Sequence, residues 1–258
     1  MRFGSLSERG YSLLVACGSK FDPGLMPSRS DLSFRSNPEL ARVAIQAVQR
    51  ARMISHLERG ILPPSAFRDP SACIDERDEH CIHLILRRGN CLHGAIRCQF
   101  HRMRPSDGDP VPLFVEILNP NLMPEAIKHT IFREIAQLGP RSHSCLETSG
   151  WLANPDLRKS AVLALALPAA VWALGAQFPE FPGISALRAS NGAAKTLTQL
   201  GGMPIRHQGR DVVFQDSFYR GPVQLMAMHS RRYHPEIASL VQECLGMLLK
   251  HGVLTHGA

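Results

Sequence analysis

Between Pro38 and Gly60 the apolar residues recur at steps of three and four. Leu40, Val43, Ala44, Ala47, Val48, Ala51, Ile54 and Leu57 share one stripe, with Arg42, Arg50 and Arg59 off it, the period of an amphipathic helix with one side in a core. Asn37-Pro38-Glu39 supplies an N-cap, a proline at the first helical position and an acid in the first turn, and Gly60 supplies the stop. The period then changes. CIDERDEHCIHLILRRGNCLHGAIRCQFHR (73–102) holds two β-rich runs joined by Arg-Arg-Gly-Asn, which reads as a hairpin with acids at its start and bases at its exit.

The second half alternates. A helix is expected over Pro124–Leu138, a strand in SHSCLETSGWLANP, a long helix from Ser160 to Phe178, a strand in GISALRA and a helix in NGAAKTLTQLGG. DVVFQD and PVQLMAMHS follow as strands, and a helix from Pro235 to about His251 closes the chain. Consecutive strands followed by β-α alternation imply an α/β chain (α+β mixed sheet): a central mixed β-sheet flanked by helices, neither a pure Rossmann fold nor an all-β barrel. Residues 18–38 are rich in Ser, Pro and Gly and carry only a short strand near Leu32–Arg35. The expected division is therefore a flexible N-terminal lead, 1–31, and one domain, 32–258.

At 258 residues the chain can bury one substantial core, and 44% hydrophobic against 20% charged residues is ordinary globular usage. A net charge of +7 favours an acidic partner. The bases are scattered, with only three Tyr and two Trp for stacking, so nucleic acid is not the expected partner. Seven Cys, mostly inside apolar segments, suit reduced thiols and a cytoplasmic location. Leu13–Cys17 has the look of a lipoprotein cleavage site after Arg2 and Arg9. Its apolar run is too short for a signal h-region, however, and Glu8 precedes it. The run Ser160–Phe178 approaches membrane-span length but contains Pro168 and is read as a buried helix. Cys73, His80, Cys81, His83, Cys91, His93 and Cys98 lack a Cys-x-x-Cys pair and follow strand alternation, so no metal is expected.

The element order resembles the GNAT acyltransferase fold, with LETSGWLANP, the long helix, GISALRAS and NGAAKTLTQLGG in the place of its core. More closely it resembles the bacterial long-chain N-acyl amino acid synthases and their relatives, the acyl-homoserine lactone synthases. RARMISHLERGIL is similar to the family's Arg-bearing helix, DERD to its Asp-x-x-Asp, LHGAIR to its Gly-x-x-Arg strand, LETSGW to its Glu-x-x-Arg strand and PVQLMAMHSRRYHP to its final strand. The chain departs at three points. Gly150 stands where relatives have the strand Arg, Ala161 and Leu163 stand at expected glycine positions of the phosphate turn, and Leu197 replaces a Tyr used as general acid.

The resemblance implies a GNAT-like N-acyltransferase of the acyl-CoA N-acyltransferase fold. Its co-substrate would be an acyl-phosphopantetheine thioester, on acyl carrier protein or CoA, its acceptor an amino acid or similar small amine, with no tightly bound cofactor. Carrier protein and acceptor are then the implied partners, with peripheral membrane contact on release of a greasy product. Glu147 is the implied general base, and a salt-bridged strand carboxylate is its plain alternative. Asp75, Asp78, Arg52 and Arg97 are the implied acceptor-binding residues. The two acids hold an ammonium or fix an Arg; Arg97, between Ile96 and Cys98, needs a carboxylate partner or grips the acceptor's carboxylate. Arg52, or Arg50 one turn off, reads by periodicity as solvated. Arg158, Lys159 and Ser160 at a helix start, and Asn191 as the cap of a later helix, are the implied donor-binding residues. A Cys145 nucleophile with His143 as base is set aside in favour of a packed strand Cys. A CoA acetyltransferase, a homoserine-lactone signal synthase, an inactive acyl- or carrier-binding module and a basic nucleic-acid binder are the alternatives.

Overall fold

Among the described residues, hairpins and β-α units assemble into one mixed sheet of ten strands. The computed structural model describes residues 5–26, 31–61, 75–102, 123–140, 142, 144–154, 160–178, 181–189, 192–216 and 221–255. In chain order these form β1 (Tyr11–Cys17), β2 (Phe34–Ser36), α1 (Pro38–Glu58), a 3-10 turn (Glu76–His80), β3 (Ile82–Arg88), β4 (Cys91–Arg102), α2 (Glu125–Leu138) and β5 (Ser144–Ala153). There follow α3 (Ala161–Gly175), β6 (Pro182–Arg188), α4 (Ala193–Gln199), β7 (Met203–Pro204), β8 (Arg206–His207), β9 (Arg210–Asp211), β10 (Val213–Asp216), β11 (Gly221–His229), α5 (Ala238–His251) and β12 (Val253–Thr255). The strands lie in the order β10-β11-β6-β5-β4-β3-β1-β12-β2, β7 adds to β11, and β8 and β9 form a separate ribbon.

Helices cover both faces. α3 and α5 pack on one, over Leu13, Val15, Leu84, Leu86, Ile96, Phe100 and Leu146. On the other, α1 covers β1, β4, β5 and β12, and α2 covers β6 and β11. α3 is apolar nearly all round because it lies between the sheet and α5, and the Trp172 indole N–H donates to the His229 carbonyl at 3.2 Å. Among the described residues no helix is long and apolar enough to cross a membrane.

Two expectations are corrected. Tyr11–Cys17 belongs to the domain, not to a flexible lead: β1 pairs antiparallel with all of β3 and parallel with β12, and Val15 and Ala16 are fully buried. The apolar run discounted as too short for a signal is a central strand. α1 has the expected bounds and cap, with Asn37 Oδ1 accepting from Leu40 N at 3.1 Å, but is turned about its axis. Leu40, Val43 and Ile54 stand 40, 47 and 41% exposed, while Ala41, Ile45, Val48, Gln49, Arg52 and Met53 face inward. Apolar count alone set the buried side off by part of a turn: Val48 is buried and Ala44 and Ala51 pack on the core as expected, but the inward side also carries Gln49 and Arg52, which meet Asp78 across the interface.

Two irregularities shape the face beneath α1 and α2. Arg97 pairs with Ser149 and Ala95 with Leu152, so Gly150 and Trp151 together oppose Ile96, a bulge in which Gly150 takes φ +60°. β5 and β6 pair in parallel only at Leu146–Thr148 with Gly183–Ser185, and then continue to Ala153 and Arg188 without pairing to each other. The sheet opens there.

Candidate active site

Arg97 leaves β4 between two residues of the opposite core, so its guanidinium enters the α1 face, where a buried charge needs compensation. Its Nη1 donates to Asp75 Oδ2 at 2.6 Å and Asp78 Oδ1 at 3.2 Å, and its Nε to Ser149 Oγ at 3.0 Å. Both acids sit on the 3-10 turn before β3. Asp75 Oδ1 caps that turn by accepting from Arg77 N at 3.1 Å, and Arg77 Nε and Nη2 grip the same carboxylate at 2.8 and 2.7 Å. Burial acts to raise the Asp75 carboxyl, but the Arg77 hydrogen bond and the Arg97 charge outweigh it and hold it well below the usual range.

Asp78 is completely buried and takes partners from three elements, α1, β3 and β4. Arg52 Nη1, from α1, donates to Oδ1 at 3.1 Å and Oδ2 at 3.0 Å, and Gln49 Nε2, one turn earlier, donates to Oδ2 at 3.1 Å. His83, on β3, lies 3.1 Å from the Asp78 carbonyl through Nε2, which must carry the proton because a carbonyl only accepts. Behind the turn, β1 is followed at once by Gly18, where an added Cβ would overlap the backbone of Asp78 and Glu79. Only glycine lets β1 approach this closely.

One pleat before Ser149 on the same face of β5, Glu147 Oε2 lies 2.9 Å from His101 Nε2 on β4. His101 stands opposite Cys145 in the antiparallel register, so the pair is diagonal across two strands. Cys145 is buried and its thiol is pushed well above its ordinary value by burial, conditions opposite to those of a nucleophilic thiolate. His143 lies outside the described residues.

The structure thus gathers Arg52, Asp75, Asp78 and Arg97 into one network, with Glu147 close by on the strand that carries Ser149. The solvated placement expected for Arg52 is corrected: it is 8% exposed, and Arg50 is the exposed one. Ser160 is described, at the N-cap of α3 without a side-chain capping bond; Arg158, Lys159 and Asn191 lie outside the described residues. Gly192, at φ +73°, rather than Asn191, holds the cap position of α4. Gln49, Arg77, His83, His101 and Ser149 were missed by sequence reasoning. Strand alternation carried the signal for His101, since Arg97, Gln99 and His101 share one side of β4.

No family profile and no curated protein matches the sequence. Solved structures do. The CoA-dependent acyl-homoserine lactone synthase BjaI, with MTA, aligns with a TM-score of 0.50 at 15% identity over 96% of this chain and 95% of that one. The same synthase with SAM and isopentyl-CoA aligns with a TM-score of 0.50 at 14% identity over the same shares. FeeM, an N-acyl amino acid synthase from uncultured soil microbes, aligns at 0.45 with 12% identity over 74% of this chain and 87% of that one. At such identities the likeness is one of fold: the chain has the GNAT-like architecture of the acyl-homoserine lactone synthase, a central mixed sheet flanked by helices.

Proposed function

We propose that the protein is an N-acyltransferase moving a long-chain fatty acyl group from a phosphopantetheine thioester, on acyl carrier protein or CoA, to the amine of an amino acid or similar small amine. The observation that carries this reading is the Glu147–His101 pair, placed on β5 beside the point where that strand parts from β6. Two parting parallel strands offer unpaired N–H and C=O groups, which suit an extended arm of amide groups such as phosphopantetheine. The start of α3, with no side-chain cap at Ser160, has N–H groups to offer a phosphate.

In this reading the acceptor's ammonium loses a proton to Glu147, which His101 orients. The free amine attacks the thioester carbonyl, the C–S bond breaks as the C–N bond forms, the nitrogen gives its surplus proton to water, and the thiolate leaves to take a proton from water. One acyl thioester and one ammonium become one amide, one thiol and one proton. BjaI, whose structure holds SAM and isopentyl-CoA, gives a precedent in this fold for a CoA derivative and a second small molecule bound together.

The test is thiol release and new N-acyl masses from acyl-carrier-protein and CoA thioesters supplied with amino acids. Glu147→Gln should lower turnover about 100-fold or more, the range for loss of a general base. If folded wild-type protein binds acyl carrier protein yet releases no thiol across the panel, the enzyme reading fails and an inactive carrier-binding module replaces it.

A further inference from the structure

The Arg52 guanidinium is enclosed but only partly used. Nη1 spans both oxygens of Asp78, at 3.1 and 3.0 Å, whereas Nε and Nη2 are buried with no hydrogen-bond partner. Buried guanidinium nitrogens are rarely left without a hydrogen bond, so two on one group call for an explanation.

Gly150 shows how the group lies. A Cβ there would stand 3.1 Å from Nη2, 3.2 Å from Cζ and 3.3 Å from Nε. Such nearly equal distances place that position over the face of the guanidinium plane. Against the rim, Cζ would be clearly the farthest of the three. The bulged glycine therefore gives the plane a flat seat on the strand, and any side chain would displace it. What remains unpartnered is the Nε–Nη2 rim, whose two parallel donors match the two oxygens of a carboxylate.

The carboxylates of this network are already engaged. Asp78 holds Nη1 of Arg52, Asp75 holds Arg77 and Arg97, and Glu147 faces His101. In the hydrogen-bonded set, Arg52, Arg77 and Arg97 face Asp75 and Asp78, one positive charge in excess. His83 and His56, both pushed down to about 4 chiefly by burial, add none at neutral pH.

We propose that the Nε–Nη2 rim of Arg52 binds the α-carboxylate of the acceptor, so that the protein selects free amino acids over amines without a carboxylate. The term acceptor rests on the acyl-transfer reading; the carboxylate site does not. Arg97 does not fill this role, because its Nε and Nη1 are committed to Ser149, Asp75 and Asp78. The scale is right for Glu147 as base. Gly150 lies three residues beyond it, about 10 Å of strand, and two hydrogen bonds with an α-amino acid between them span about 8 Å.

The experiment is calorimetric titration of the full chain, without thioester, with each proteinogenic amino acid as free acid and as its C-terminal amide. At least one free acid should bind at least about tenfold more tightly than its amide. Arg52→Lys, which keeps a cation for Asp78 but has no fork, should lose that preference while its thermal midpoint confirms folding. Equal binding of acid and amide by wild-type protein overturns the proposal without any variant, as does binding of no free acid, or an unchanged preference in folded Arg52→Lys. Acid-selective binding without acyl product in the thioester assay would leave the carboxylate site standing and remove the acyl-transfer reading. Product formed equally from acids and amides would do the reverse.

Discussion

His83 has no exposed surface and is wedged between the Asp78 turn and β4, with Nδ1 lacking a partner. Burial pushes its imidazole down to about 4, against the opposing pull of the Asp78 charge, from an ordinary value of 6.5. Between those values the unfolded chain binds a proton that the folded chain refuses, so stability is complete above 6.5 and falls as pH drops towards 4. The integrated loss from His83 is of order 3 kcal/mol. His56, lowered in the same direction by burial and by Arg52, adds a smaller loss over the same window. Asp75, held below the ordinary carboxylate range, contributes stability that disappears only at lower pH. Urea midpoints measured across this range should decline as the medium is acidified, and His83→Gln, whose amide can still donate to the Asp78 carbonyl, should flatten most of the slope. A wild-type midpoint unchanged down to pH of about 4 would mean the histidine is protonated in place. The same residues show how far the site was legible. An Arg between Ile96 and Cys98 announces a need for carboxylate, and Asp75 and Asp78 were near in sequence to supply it. His83 and His101 could not be assigned from sequence, since each gains meaning from a partner strand: His83 stands opposite Arg97, and His101 reaches Glu147.

Among elements, β1 decides whether the sheet is one piece. It lies between β3, a neighbour from about seventy residues on, and β12 from the far end of the chain, and Gly18 at its end seats the Asp78 turn. A deletion through Cys17, harmless if these residues were a lead, should therefore abolish cooperative unfolding and near-ultraviolet dichroism, because β3 and β12 would each lose a partner and the core over Leu13 and Val15 would open. A truncated chain that unfolds cooperatively at the wild-type midpoint would refute this. α1, the β3–β4 hairpin, α2, β5, α3, β6, β11 and α5 all occur where local pattern expects them, since period and caps are local properties. β1 and β12 were not legible as sheet strands, for both are short runs whose order depends on pairing with distant chain. The turn of α1 about its axis has a related cause. Gln49 and Arg52 face inward because Asp78 is there to meet them, and no periodicity within 38–58 encodes a carboxylate at residue 78.

At the scale of the whole molecule, a net charge of +7 is spread over the chain rather than gathered in one run. Such a field does little for a small neutral acceptor but raises the encounter rate with an acidic macromolecule. The two candidate donors present the same phosphopantetheine thioester and differ in what carries it. An acidic carrier protein would meet the field over a broad surface, CoA only through its own phosphates. If the carrier protein is the donor, kcat/KM with it should fall about tenfold or more as added salt shortens the Debye length from about 30 Å to about 8 Å, chiefly through KM. The value for acyl-CoA should move much less. Equal sensitivity of the two would locate the electrostatic contribution in the phosphopantetheine phosphate, near the N-terminus of α3. Insensitivity of both would leave the positive charge without a part in donor binding, and the choice of donor would then rest on the shape of the opening between β5 and β6.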